Sequence, residues 1–204
     1  VGSSSARRPR PSLIFSRSAF VAGKGIAGAL MMAGLQANLR SQAALAREDL
    51  GRMLRVLNGV LCESVAAGRY ATLFFGCYED ASRRLRYVNC GHNPALLLRA
   101  DGRLERLAAT APAVGLFDDW PCAAAELRLA PGDLLCVYSD GVTEATSGAG
   151  EEYGEERLAE TLRTGRELPP MALGEAVLRS VEAFAGAVRG DFGVSFQGDR
   201  SVAE

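Results

Sequence analysis

Two parts of the chain carry a helical rhythm of apolar positions, and the part between them carries a rhythm of two. From Gly25 to about Ala46, Ile26, Ala29, Leu30, Ala33, Leu35, Ala37 and Leu39 give a broad apolar surface on an Ala-rich background, the composition of a helix. Glu48-Asp49-Leu50 opens a second helical run. In it Leu50, Met53, Leu54, Leu57, Leu61 and Val65 fall at i, i+3, i+4 and i+7 on one face, and Gly68 supplies the stop. Beyond Gly68 the period changes. Tyr70 to Tyr78 is aromatic and β-prone, and Arg84 to Asn89 alternates polar with apolar. Ala95 to Leu98 is a short apolar run, and Asp101-Gly102 turns the chain into Arg103 to Leu107. Ala125 to Leu129 alternates again, and the turn Pro131-Gly132-Asp133 leads into a continuous apolar strand, Leu134 to Tyr138. Residues 155–164 and 170–186 return to helical spacing, with Pro169-Pro170 marking the second start.

This order, a helix pair, a run of strands with short turns, then helices, predicts antiparallel pairing with helices layered outside the sheets. The fold class expected is α+β, not a doubly wound parallel sheet. Residues 1–19 stand apart: Ser, Arg and Pro dominate, every charge is positive, and no periodic apolar pattern is present. The expectation there is an irregular end, or a strand that has lost its pattern. The segment lacks the longer apolar stretch and small-residue cleavage site of an export signal.

With 204 residues and 48% hydrophobic content, the chain suits one domain able to bury a core without staples. Its 23 Lys and Arg against 24 Asp and Glu leave a net charge of -1, which argues against a nucleic-acid binder and against a polybasic membrane patch. No stretch approaches the roughly 18 apolar residues of a membrane span. The five cysteines, Cys62, Cys77, Cys90, Cys122 and Cys136, are odd in number and without C-x-x-C spacing, so neither a disulfide framework nor a zinc site is signalled. A reducing, cytoplasmic compartment is the expectation.

Chemistry concentrates in Tyr138-Ser139-Asp140-Gly141-Val142-Thr143-Glu144, where a buried strand ends in Ser-Asp-Gly. A carboxylate there is placed to reach a hard divalent cation, which takes oxygen ligands, although Asp-Gly after a strand is by itself an ordinary turn. His92, the one histidine, lies in a Gly-His-Asn-Pro turn after a strand, where a structural hydrogen-bonding role is expected. Gly23-Lys24-Gly25 lacks the spacing of a phosphate-binding P-loop, which disfavours a nucleotide-binding switch. Trp120 is expected to be a partly covered loop residue held by packing.

Taken together, GKGIAGAL at 23–30, YVNCGHNPALLL at 87–98 and PGDLLCVYSDGVTEA at 131–145 resemble the metal-dependent protein phosphatase (PPM) family, in its bacterial sporulation stage II protein E type. The resemblance covers residues 20–204, and residues 1–19 fall outside it as a degenerate segment. It implies a layered α-β-β-α sandwich, two antiparallel sheets flanked by helix pairs. It further implies two Mn2+ or Mg2+ ions and a metal-activated water that attacks the phosphorus of a phosphoserine or phosphothreonine, with no side-chain nucleophile and no assigned catalytic side chain. The implied partner is a phosphorylated regulatory protein of the anti-sigma-factor antagonist kind. A sensory domain N-terminal to this one in the full protein is implied too, with the helix pair as its control element.

Carried over by position, Asp140 matches a metal-binding Asp, Val21 would offer its backbone carbonyl to the metal shell, and Glu144 and Lys24 match recurring polar positions. The chain also departs from the family pattern. The Asp that bridges the two ions falls on Phe20, residues 1–19 contain no Asp or Glu, and the C-terminal metal-binding Asp falls on Gly198, with Asp199 surviving beside it. Asp191 is a less well aligned candidate. A pseudophosphatase that binds its partner without hydrolysis is therefore the second reading.

Overall fold

The computed structural model describes residues 13–21, 26–42, 49–64, 69–186 and 194–198. Among the described residues eight strands form two four-stranded antiparallel sheets. The first has the order β1 (Leu13–Val21), β2 (Ala71–Glu79), β3 (Arg84–Cys90), β6 (Ala125–Arg128). The second has the order β5 (Leu104–Leu107), β4 (Ala95–Leu98), β7 (Leu134–Tyr138), β8 (Val194–Gly198). Helices α1 (Ile26–Gln42) and α2 (Leu50–Ser64) cover the first sheet; α4 (Gly154–Thr164) and α5 (Pro170–Ala185) cover the second. A single helical turn, α3 (Asp140–Thr143), follows β7.

The period of two sorts side chains among three cores. Leu73 and Phe75 of β2 and Val88 and Cys90 of β3 meet Leu35, Leu39, Leu54, Leu57 and Leu61 of the first helix pair. Phe74, Tyr78, Leu85 and Tyr87, on the opposite face, meet Ala95, Leu97, Leu135 and Val137 between the sheets. Leu96, Leu98, Leu134, Cys136 and Tyr138 then point outward to Leu158, Leu162, Leu173, Val177 and Val181 of the second helix pair. The unbroken apolar run of β7 is thus two alternating sets, one for each side of a strand buried on both faces. The helices, sheets and layer order are those the hydrophobic pattern and the family resemblance imply.

Two expectations need correction. Of the two expectations for the N-terminal segment, the strand without a periodic pattern holds over Leu13–Val21 and the irregular end does not: β1 pairs with β2 over nine positions, from Leu13 opposite Glu79 to Val21 opposite Ala71. Leu13, Ile14, Phe15, Phe20 and Val21 are β-prone, and β2, strongly apolar, supplies a template that outweighs the lack of periodicity. Residues 1–12 lie outside the described residues. Trp120 is a loop residue held by packing, as expected, but it is buried and not partly covered. It is 5% exposed in the core under α1 and α2, and its indole N–H donates to the Pro112 and Ala113 carbonyls at 3.0 and 3.2 Å.

None of the five cysteines is in a disulfide; Cys77, Cys90 and Cys136 are buried as small apolar groups, and burial pushes the thiols of Cys90 and Cys136 far up. Among the described residues no helix is long and apolar enough to cross a membrane.

Candidate functional site

The register brings several chain segments to one end of the sandwich. Val21, the last residue of β1, stands opposite Ala71, the first of β2, and Phe20 stands opposite Thr72. Cys90 ends β3, and the loop Gly91–Pro94 crosses from the first sheet to Ala95 of the second. Leu96 pairs with Cys136, so the start of β4 lies beside the end of β7, where Asp140 follows. Val194, the first residue of β8, pairs with Tyr138 at this same end.

Asp140 is fixed by its own turn. Ser139 is extended, and the chain then closes one helical turn in which the Asp140 carbonyl accepts from the Glu144 N–H at 2.8 Å and from the Thr143 hydroxyl at 3.2 Å. The Gly141 N–H donates to Asp140 Oδ1 at 2.8 Å. Val142, fully buried against the second helix pair, anchors the turn from below. Glu144 is exposed at its end.

The crossing loop is organised by Asn89, itself fully buried. Its Oδ1 accepts the His92 N–H at 2.8 Å, and its Nδ2 donates to the carbonyls of Asn93 at 3.3 Å and Leu107 at 3.2 Å. Its backbone N–H donates to Thr110 Oγ1 at 3.1 Å, and its carbonyl accepts from Thr110 and Ala111. Every polar group of this buried amide is engaged, as burial requires.

His92 then reaches across the gap. It is 6% exposed, its Nδ1 lies 3.1 Å from Thr72 Oγ1, and its ring is hydrogen-bonded to the Tyr138 carbonyl. Burial holds the imidazole below its ordinary pKa, against the opposing pull of the Asp140 carboxylate. The hydrogen-bonding role expected for His92 is the one it plays. Sequence reasoning missed Asn89, for which a polar residue closing an alternating strand was a signal, and Thr72, for which there was none.

Gly91 makes the loop possible. Its φ is +64°, and a Cβ would stand 3.2 Å from the Ala113 nitrogen. Gly91→Ala is expected to destabilise the fold by about 1–2 kcal/mol through left-handed strain alone, with the contact to Ala113 adding to it. Urea unfolding checks this, and an unchanged midpoint would show that the loop simply moves.

Of the sequence-derived metal positions, the structure brings Asp140 and the Val21 end of β1 to one end of the sandwich. It does not bring Gly198 there. Gly198 pairs with Leu134, at the opposite end of β7 from Asp140. Asp199, like Lys24 and Asp191, lies outside the described residues. Among the described residues no group of three or more His, Cys, Asp or Glu side chains is placed to hold a metal ion. Asp140 supplies one carboxylate, both hydrogen-bonded flanks of His92 are spoken for by Thr72 and Tyr138, and Phe20 has no donor atom. These residues alone do not fit a two-metal centre.

The family model for Stage II sporulation protein E (SpoIIE) matches residues 20–193. Protein IcfG of Synechocystis sp. (strain ATCC 27184 / PCC 6803 / Kazusa) is 42% identical over 93 residues, 46% of this chain and 15% of that protein. Phosphoserine phosphatase RsbP of Bacillus subtilis (strain 168) is 28% identical over 165 residues, 79% of this chain. The match spans 39% of RsbP, so the chain corresponds to well under half the length of either relative. The solved SiaA-PP2C domain of Pseudomonas aeruginosa superposes with a TM-score of 0.76 at 19% identity, covering 91% of this chain and 80% of that one. The catalytic domain of the serine threonine protein phosphatase PstP, solved in complex with 2 manganese ions, shares the fold at a TM-score of 0.62 and 19% identity, covering 93% and 91%. The two-sheet sandwich, the Asp140 turn at its end and the match along most of the chain agree: the chain belongs to the SpoIIE family, as a PPM-type phosphatase domain.

Proposed function

We propose that this domain is a protein serine/threonine phosphatase by descent, acting on or binding a phosphorylated regulator of the anti-sigma-factor antagonist kind, with a depleted metal site. The convergence of Asp140, the Val21 end of β1 and the start of β8 at one end of the sandwich carries the reading. A complete ligand set would let Mn2+ or Mg2+ supply an activated water there, and the described residues alone do not make one. The chain's own residues hold the Asp140 carboxylate in a fixed turn and exclude water behind it with Val142.

The register also supports a change of ligand. The chain enters β8 at Val194, beside Tyr138, and leaves it at Gly198, beside Leu134. In sequence Asp191 precedes the entry by three residues, whereas Asp199 follows the exit. Asp191 is therefore the better C-terminal partner for Asp140, and Val21 retains its place as a carbonyl donor. The pseudophosphatase reading is favoured by Phe20, where a bridging carboxylate would stand.

Mn2+ titration of the full chain and of three single variants tests this. Asp140→Ala and Asp191→Ala are each expected to weaken Mn2+ binding by about 10-fold or more, and Asp199→Ala to leave it unchanged. Loss on Asp199→Ala with none on Asp191→Ala would overturn the assignment.

A further inference from the structure

We propose that His92 is a positioning residue that ties the two sheets together at the Asp140 end, holding the Asp140 turn of the second sheet in place against Thr72 and the end of β1 in the first. Much of the contact between the sheets is built from apolar side chains such as Phe74, Leu97 and Val137, with the Asn89–Leu107 bond beside His92 and the Arg99–Arg128 bond at the far end as further polar links. Apolar burial is non-directional, so it fixes the spacing of two sheets better than their sliding. A site assembled from both sheets needs the sliding fixed as well.

Hydrogen bonds supply direction. The His92 backbone is held by Asn89 of β3, which also donates to the Leu107 carbonyl of β5. The ring meets Thr72 of β2, 3.1 Å from Nδ1, and the Tyr138 carbonyl of β7. The residue is therefore held to the first sheet through its main chain, by an Asn89 that itself reaches the second sheet, and meets both sheets through its side chain. Thr72 is the register partner of Phe20, and Tyr138 is two residues before Asp140. A shift of His92 would move those two places relative to each other.

The chemistry fixes one tautomer. A carbonyl only accepts, so the ring nitrogen that meets Tyr138 carries the proton. A neutral imidazole then has one acceptor left, Nδ1, which takes the hydrogen of the Thr72 hydroxyl. At pH 8, above the ordinary imidazole pKa, the ring is neutral. The assigned form is thus Nε2–H to Tyr138 with Nδ1 accepting from Thr72.

Because the chain has one histidine, its imidazole gives a single set of nitrogen resonances. The test is 15N NMR of the full chain at pH 8, unmodified and as Thr72→Val and Thr72→Ser. Val keeps the branched shape and cannot donate; Ser restores the hydroxyl. The expected results are the Nε2–H tautomer in the unmodified chain and, in Thr72→Val, a mixed tautomer with displaced Asp140–Val142 amide signals. Both should return in Thr72→Ser. Unmoved Asp140–Val142 amides in Thr72→Val would overturn the proposal, as would displacement spread evenly over both sheets, which signals general loosening.

The consequence for metal rests on the proposed function and is read separately. In the Phe20→Asp chain, the Mn2+ concentration that half-broadens the Asp140 amide is expected to rise about 10-fold on Thr72→Val and to recover on Thr72→Ser, the size of a lost supporting contact. An unchanged midpoint would count against the positioning role. If Mn2+ broadens nothing near Asp140, the metal reading fails, and the amide comparison still decides the role of His92.

Discussion

Phe20→Asp is expected to raise Mn2+-dependent hydrolysis of a small aryl phosphate from near background by about 100-fold or more, and adding Gly198→Asp to leave the gain unchanged. Two divalent ions about 3.5–4 Å apart repel each other and need several carboxylates to hold them. Asp140 is the carboxylate the described residues place at this end, and Phe20 stands in register with Thr72 beside the Val21 terminus of β1. A carboxylate at position 20 would add charge where β1 approaches the Asp140 turn. Even supporting groups around a metal are worth 10–100-fold in affinity or activity, which makes about 100-fold a lower bound for a bridging ligand. Gly198 is four residues beyond Val194, which pairs beside Asp140's strand end. At about 3.3 Å per residue that is roughly 13 Å along β8, too far for a carboxylate to share an ion. The gain should stay below full family activity, because residues 1–19 contain no Asp or Glu to complete the ligand set. Rates against Mn2+ concentration for the single and double variants decide it. Robust turnover by the unmodified chain, abolished by Asp140→Ala, would show that the ligands stand elsewhere.

The sandwich was legible because most of its elements obey one local rule each. The face of α2 made of Leu50, Met53, Leu54, Leu57 and Leu61 is the buried face, and the Leu134–Tyr138 run is a strand buried on both sides. What failed locally was decided by pairing. Nothing in LIFSRSAFV alternates, yet nine partners along β2 make it a strand. Matching Gly198-Asp199 to a C-terminal ligand used residue identity without register, and only the pairing of Gly198 with Leu134 shows which end of β8 meets Asp140. The Asp140 turn could be read because strand, Ser, Asp and Gly are contiguous. The Thr72–His92–Tyr138 link could not, since its members lie on three segments separated by 20 and 46 residues.

Asp133→Ala is expected to cost about 3–5 kcal/mol, the toll of breaking a buried ion pair by removing one partner. Asp133 is 2% exposed in the turn before β7. Its Oδ1 accepts the Ala100 N–H at 2.9 Å, and its Oδ2 accepts the Ala130 N–H at 2.9 Å and Arg99 Nη1 at 2.8 Å. Arg99 also makes a bidentate pair with Glu105, both contacts at 2.8 Å, and donates to the Arg128 carbonyl at 3.0 Å. Deleting the Asp133 carboxylate strands two backbone N–H groups and one N–H of Arg99 Nη1, whose bond to Arg128 and whose pair with Glu105 remain, on a side chain that is 20% exposed. Water reaches part of Arg99, which places the expectation toward the lower end of the range. Asp133→Asn retains one acceptor and should cost less, about 1–3 kcal/mol. Glu105 adds a pH dependence. Arg99 holds its carboxyl below the usual range, so its contribution is present above the ordinary Glu pKa and is lost as pH falls through the lowered folded value. Denaturant midpoints for the two Asp133 variants at neutral pH check the order, and equal midpoints would mean that the N–H groups find water instead. The network sits at the Leu134 end of β7, five residues before Ser139, so the single imidazole of His92 at the other end should keep its spectrum in Asp133→Ala until the chain unfolds. A changed imidazole in the folded variant would show that this strand transmits strain from its stabilising end to its chemical one.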